Sequence, residues 1–186
     1  MISLHPNPPG QLILIHDAKA AGKALLTLAA HLALQGPVYV LDGGNSFDVY
    51  RVARLLRRHT VHIAHCLDRI WLRRAFTPFQ LVSQLEQTAV SPHPLLILDL
   101  LATLETAVSE AAIRPSVAQH LATAFYREIA RLQSHRPVVV GLRTAVHPAW
   151  QRLVQQLQHL ANQRLHLAPP TAVSAPAMQL ALPGVS

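Results

Sequence analysis

Apolar and polar residues alternate in blocks along this chain. Four short apolar runs, at residues 12–15, 38–41, 95–98 and 138–140, are bounded by polar or turn-forming residues. Continuous apolar runs of this length predict strands buried on both faces. The stretches between them carry helical periodicity. Residues 22–34 read as a helix closed by Gly36-Pro37, preceded by a loop at 16–21. Residues 47–58 place Val49, Val52, Leu55 and Leu56 on one face and arginines on the other. Further helices are predicted at 78–90, 115–132 and 150–162, and Asp42-Gly43-Gly44-Asn45 marks a turn. Either 61–64 or 70–72 supplies another strand, and 165–167 one more. Strands alternating with helices predict an α/β fold, a mostly parallel central sheet with helices on both faces.

Length and composition fit one core with tails. The 186 residues divide into a tail at 1–10, a core at 11–167 and a Pro/Ala-rich tail at 168–186, within which 178–182 has the pattern of an added edge strand. Hydrophobic residues make up 51% and charged residues 13%, the reverse of a disordered chain. No apolar run approaches the roughly 18 residues of a membrane span. The start lacks the basic end and apolar stretch of a signal peptide, so the expected location is cytoplasmic. Cys66 is the single cysteine, which excludes an internal disulfide.

Charge adds a candidate surface. The net charge is +7, from 14 arginines and two lysines, and both lysines, Lys19 and Lys23, fall in one five-residue stretch. Arg51, Arg54, Arg57 and Arg58 share one predicted helix, and Arg69, Arg73 and Arg74 follow. They form either a patch that tracks DNA phosphates or a solvated helix face. No aromatic residues alternate with these arginines, so base stacking is not indicated. His62, His65 and Cys66 give three soft ligands with no fourth, on a segment whose strand alternation would split them, which argues against a metal.

The strand–loop–helix at the start carries candidate phosphate chemistry. The run Asp17-Ala18-Lys19-Ala20-Ala21-Gly22-Lys23-Ala24 matches the Gly-Lys of a phosphate-binding loop and its position between strand and helix. In such a loop backbone N–H groups cradle phosphates and the lysine adds a point charge. Ala24 stands where a Ser or Thr would ligate Mg²⁺, and Thr27 lies a turn too far along. Asp17 replaces the first glycine and sets a carboxylate beside the phosphates, a repulsion of roughly 3 kcal/mol at ~5 Å before screening. Lys19 offsets part of it. The same run also suits an ordinary turn with no ligand, in which Asp17 pairs with Lys23 or caps the helix.

The segments that follow resemble the RecA/RadA ATPase core. Val38-Tyr39-Val40-Leu41-Asp42-Gly43-Gly44-Asn45-Ser46-Phe47-Asp48 is similar to a family strand followed by Asp-Thr-Glu-Asn-Thr-Phe-Asp. Ile70-Trp71-Leu72-Arg73-Arg74-Ala75-Phe76 is similar to a strand ending Ala-Arg-Ala-Phe, and Gln80-Leu81 to the helix after it. Leu95-Leu96-Ile97-Leu98-Asp99 fits a Walker B strand. The resemblance covers residues 11–167 and implies a RecA-like P-loop fold with ATP or ADP as cofactor, and Mg²⁺ only alongside the nucleotide. It implies phosphate or nucleotide contact by Asp17, Lys19, Gly22, Lys23, Ala24, Asp99 and Arg143, with Asp99 on the metal through water. An Asp at a strand end equally caps a neighbouring backbone, and Arg143 equally pairs with an acid.

Three departures point away from hydrolysis. Ala24 lacks the metal hydroxyl, Gly44 stands at the position of the family's catalytic Glu, and Gly141-Leu142-Arg143 replaces the strand end that carries its γ-phosphate-sensing Gln. No catalytic residue is therefore assigned. Family DNA loops would fall within 106–116 and at 144–149, the second very short. The family's N-terminal helical domain and an evident polymerisation peptide are missing from the sequence, which argues against filaments. The expectation is a binding or assembly module in DNA recombination or repair, with a protein partner or homo-oligomer, DNA on the basic patch and no membrane. The alternatives are a slow ATPase completed by a partner subunit and a structural partner-binding protein that takes no nucleotide. Without ligand, Asp17 or Asp99 is expected within ion-pair range of Lys23, because an unpaired buried ammonium is costly.

Overall fold

The computed structural model describes residues 10–16, 18–110, 113–142 and 147–167, with backbone alone at 18–20 and 149. Asp17, Arg143, most of the N-terminal tail and the strand expected at 178–182 lie outside the described residues. The chain runs β1 (Leu12–His16), α1 (Ala18–Gln35), β2 (Val38–Asp42), α2 (Val49–Leu56), α3 (Ile63–Asp68), β3 (Ile70–Arg74) and α4 (Pro78–Glu86). It continues through β4 (Leu95–Leu98), α5 (Ala102–Ser109), α6 (Pro115–Gln133), β5 (Val138–Leu142), α7 (Pro148–Leu160) and β6 (Gln163–His166).

The six strands form one sheet in the order β3-β2-β4-β5-β1-β6, and every pairing is parallel. The four apolar runs supply its inner strands because both of their faces are covered. Leu12, Leu14, Ile97, Val138 and Val140 pack into the core formed with α4 to α7. Ile13, Ile15, Val38, Val40, Leu96 and Leu98 pack into the core formed with α1, α2 and α3. The chain winds from β1 out to β3 with its helices on one face and returns to β6 with its helices on the other. Right-handed crossovers in opposite directions require that change of face.

Several boundaries differ from the sequence reading. Ile63 and Ala64 begin α3 and residues 61 and 62 precede it, so the competing run at Ile70–Arg74 is the strand. His62 is the residue before that helix and Cys66 is buried within it. No group of three metal-ligating side chains occurs among the described residues. The unforeseen helix α5 covers residues 106–109 of the segment read as a DNA loop at 106–116, and α6 begins at Pro115 within it. Trp150 is fully buried. No helix among the described residues is long and apolar enough to cross a membrane.

Polar networks tie the helices of the second face together. Glu128 on α6 is buried and pairs with Arg127 at 2.9 Å and Arg131 at 2.7 Å. Burial opposes its ionisation, but the bonds from Arg131 and Arg127 outweigh burial and hold the carboxyl below its usual range. Arg131 also donates to the carbonyl of Leu85, capping the end of α4. At the amino end of the sheet the guanidinium of the fully buried Arg136 lies 4.6 Å from the Tyr39 ring centre and donates to the Ala89 carbonyl.

Candidate functional site at the carboxyl edge

In an open parallel sheet, ligands bind beyond the carboxyl ends of neighbouring strands whose connections leave to opposite faces. Three neighbouring pairs meet that condition here, β1 with β5, β2 with β4 and β2 with β3. Along the inner strands, their ends bring together His16, Leu142, Asp42 and Leu98. Gly43 N–H donates to the Leu98 carbonyl at 3.0 Å, and Leu100 N–H to the Gly141 carbonyl at 3.2 Å, so the strand ends are stitched together.

The β1–α1 junction is shorter than the expected loop. β1 ends at His16 and α1 begins at Ala18, leaving one residue between them. Gly22 and Lys23 therefore lie in the second turn of α1, and the open N–H groups of its first turn belong to residues 18–20. Nothing lies within 4 Å of a Cβ built on Gly22, so no close approach there demands glycine. Lys23 is exposed, and no ion pair joins it to Asp99, so that limb of the expected pairing is not met. The limb through Asp17 lies outside the described residues, as do the Lys19 side chain and Arg143. The Thr27 hydroxyl donates to the Lys23 carbonyl at 2.9 Å. The described residues do not fit a nucleotide in the family's manner: the wrapping loop, the metal hydroxyl and the glycine requirement are missing together.

The loop after β2 is built around Asp42, whose side chain is fully buried. Its Oδ1 accepts from Gly44 N–H at 3.3 Å, Ser46 N–H at 2.9 Å and Ser46 Oγ at 3.3 Å, and its Oδ2 from Phe47 N–H at 2.8 Å. Arg74 reaches the same carboxylate at 3.5 Å and donates to the Phe47 carbonyl at 3.0 Å. The sequence reading assigned Asp42 no role. Its signal is an aspartate at a strand end before Gly-Gly-Asn-Ser, a run rich in free N–H donors.

Asp99 interlocks with that loop. It adopts φ +50°, a left-handed conformation that Asp and Asn tolerate better than most side chains. This turns its side chain over Gly44. A Cβ added to Gly44 would lie 2.7 Å from Asp99 Oδ2 and 2.8 Å from Asp99 Cβ. A Cβ at Gly43 would meet the Asp99 carbonyl at 3.0 Å. No side chain fits at Gly44, because Asp99 occupies the space it would enter.

On the other side of β1, His16 stacks on His166 of β6, with ring centres 4.8 Å apart and planes 13° from parallel. Burial lowers the His16 pKa, and the charges of His166 and Arg164 lower it further. The folded state therefore favours neutral His16, while the unfolded chain binds its proton near pH 6.5. The stabilisation holds above that value and declines as pH falls below it. Amide exchange in β6, corrected for intrinsic rates, is expected to quicken between pH 7.5 and pH 5 relative to β4. Equal pH dependence in the two strands would show that the histidine pair does not control this edge.

The predicted arginine patch separates on the structure. Arg54, Arg57 and Arg58 are exposed on and just beyond α2, and Arg51 is partly buried. Arg69 turns inward to the Ala33 and Leu34 carbonyls at the end of α1. Arg73 and Arg74 leave opposite faces of β3. No aromatic residues alternate with these arginines, but two exposed rings flank the run. Tyr50, next to Arg51, is 82% exposed, and Phe76, two residues past Arg74, is 68% exposed. Comparison of the chain with models of known protein families and with curated proteins finds no match.

Proposed function

We propose that this chain is a RecA/RadA-like paralog whose ATP site has eroded, and that it serves as a non-hydrolytic binding or assembly module in DNA recombination or repair. The all-parallel sheet with helices on both faces and the order of motifs along it support the kinship. The observation that carries the loss of activity is the single-residue β1–α1 junction, which moves Gly22 and Lys23 out of the first turn of α1. A wrapping loop gathers several N–H groups onto one phosphate, and a strand that passes almost directly into a helix cannot. The fit of Asp99 over Gly44 points the same way, because it fills the place of a general base.

Two measurements test this. The purified chain is expected to hydrolyse ATP with Mg²⁺ far below ~1 s⁻¹, the low end for ordinary enzymes, and Lys23→Ala is expected to leave the background rate unchanged. Thermal unfolding is expected to show little shift with ATP or ADP, whereas a ligand at 100 times its dissociation constant would add about 2.7 kcal/mol. Turnover near ~1 s⁻¹ that Lys23→Ala abolishes would refute the proposal and favour an intact ATPase.

A further inference from the structure

β3 closes one edge of the sheet, and its alternate side chains face different surroundings. Ile70, Leu72 and Arg74 lie in register with Val38, Val40 and Asp42, on the face that carries α1, α2 and α3. The short helices α2 and α3 cover this edge in part. Phe47 is buried, but Leu67, Ile70 and Leu72 are half-buried and Val49 is 45% exposed. These five side chains and Arg74 line one cleft of about 350 Å³, within the range of volumes that hold small molecules.

The lining is apolar apart from Arg74. Ile70 opens β3 and Arg74 ends it, so the strand supplies a wall of roughly 13 Å with the cation at its carboxyl end. The guanidinium is held in place without being used up. Its Nη2 donates to the Phe47 carbonyl at 3.0 Å, and its Nε lies 3.5 Å from Asp42 Oδ2. A guanidinium carries five N–H donors, so most remain for a ligand. Asp42 already accepts from four closer donors, at 2.8 to 3.3 Å. Asp48, beside Val49, is engaged in capping α2. The Arg74 side chain stays 42% exposed.

We infer that this cleft binds a small amphiphilic carboxylate of the medium-chain fatty acid class, with its apolar body along Ile70 and Leu72 between Val49 and Leu67 and its carboxylate on Arg74. Apolar walls with one placed polar group are how small-molecule sites set orientation. The planar fork of a guanidinium matches a carboxylate through two parallel N–H···O bonds. One cation at the end of an apolar wall fits one anionic head on one tail. A polyanion would find a single charge in this lining and no second one. Covering Val49, Leu67, Ile70 and Leu72 removes apolar surface from water, which drives the tail into place. The cleft lies at the β3 edge, away from the β1–α1 junction, so the inference does not rest on the RecA/RadA kinship.

The test is calorimetric titration of the full chain with decanoate, kept below its micelle concentration. Saturable binding at one site is expected. Decanol has the same tail without the charge and is expected to bind about tenfold more weakly, the share of a hydrogen bond to a charged group. Arg74→Gln is expected to weaken decanoate about tenfold and to leave decanol unchanged, which also shows that the cleft is still formed. Val49→Asp sets a carboxylate on the wall at the first position of α2, where the helix dipole favours it. That variant is expected to fold and to lose decanoate binding. In the parent, methyl resonances of Leu67, Ile70 and Leu72 are expected to move on titration, while those of Leu153 and Leu157, buried on α7, stay in place. No saturable decanoate binding, decanol bound as tightly as decanoate, full affinity in Arg74→Gln, or methyl shifts confined to other residues would each overturn the proposal, and none of these results bears on hydrolysis.

Discussion

Gly44→Glu, which sets a carboxylate where the proposed RecA/RadA kinship expects one, is expected to destabilise the protein by on the order of 3 kcal/mol and to produce no ATPase. The first atom of any side chain at 44 falls 2.8 Å from Asp99 Cβ and 2.7 Å from its Oδ2. Overpacking of this kind costs about 1–3 kcal/mol, and Asp99 cannot swing aside cheaply because the contact reaches its Cβ. A second carboxylate beside Asp99 adds repulsion, worth up to ~4 kcal/mol at ~4 Å before solvent screening reduces it. In a domain of this size the expected loss lowers the melting temperature by about 6–12 °C. Replacing Asp99 with glycine removes both the obstructing side chain and the left-handed strain at φ +50°. Gly44→Glu/Asp99→Gly is therefore expected to be more stable than Gly44→Glu alone, a favourable coupling that a double-mutant cycle measures directly. A Gly44→Glu protein as stable as the parent would show that the loop relaxes freely and that the interlock does not hold.

That interlock marks the limit of what was legible in the chain. The inner strands β1, β2, β4 and β5 were readable because burial on both faces turns each into an unbroken apolar run. The edge strands were read less sharply: β6 was placed at 165–167 against its observed Gln163–His166, and β3 reads Ile-Trp-Leu-Arg-Arg and exposes Trp71, Arg73 and Arg74, so it competed with the apolar start of α3. Helix α5 was hidden because Leu100 and Leu101 continue the apolar run of β4, and the turn at Asp99 that separates them shows no glycine or proline. The β1–α1 junction was misread for another physical reason. Ala and Lys, the residues that fill positions 18–24 around Gly22, are strong helix formers, so the helix extends back almost to the strand where the motif suggested a loop. Tyr50 sat one residue from the arginines in plain view, but the helical pattern tracks the buried face and says little about which rings stay outside. The clash between Gly44 and Asp99 joins two strands distant in sequence and has no sequence signal.

The largest single loss of stability is expected at Asp42. Its carboxylate is fully buried and accepts from three backbone N–H groups and the Ser46 hydroxyl, with Arg74 alongside. Asp42→Ala leaves those donors facing an apolar gap, and removing one partner from such a buried cluster costs about 3–5 kcal/mol. Asp42→Asn keeps the volume but turns an NH₂ group toward N–H donors, so a loss of about 2 kcal/mol is expected from the donor it leaves unsatisfied. Arg74 is 42% exposed, and Arg74→Gln is expected to cost no more than ~1 kcal/mol, because solvent already screens that pair. The ranking Ala above Asn above Arg74→Gln, measured by denaturant unfolding, separates the two roles of the carboxylate. If Arg74→Gln cost as much as Asp42→Ala, the ion pair and not the backbone donors would hold the loop. The consequence reaches the surface as well. The Gly43–Phe47 loop leads into Asp48, which caps α2 through the Arg51 N–H at 3.0 Å, and Tyr50 stands in that first turn. Loosening the loop removes the footing of α2, so Asp42→Ala is expected to speed amide exchange in the first turn of α2 more than in β5. A variant that loses stability as expected yet exchanges equally in α2 and β5 would show that the loop does not anchor that helix.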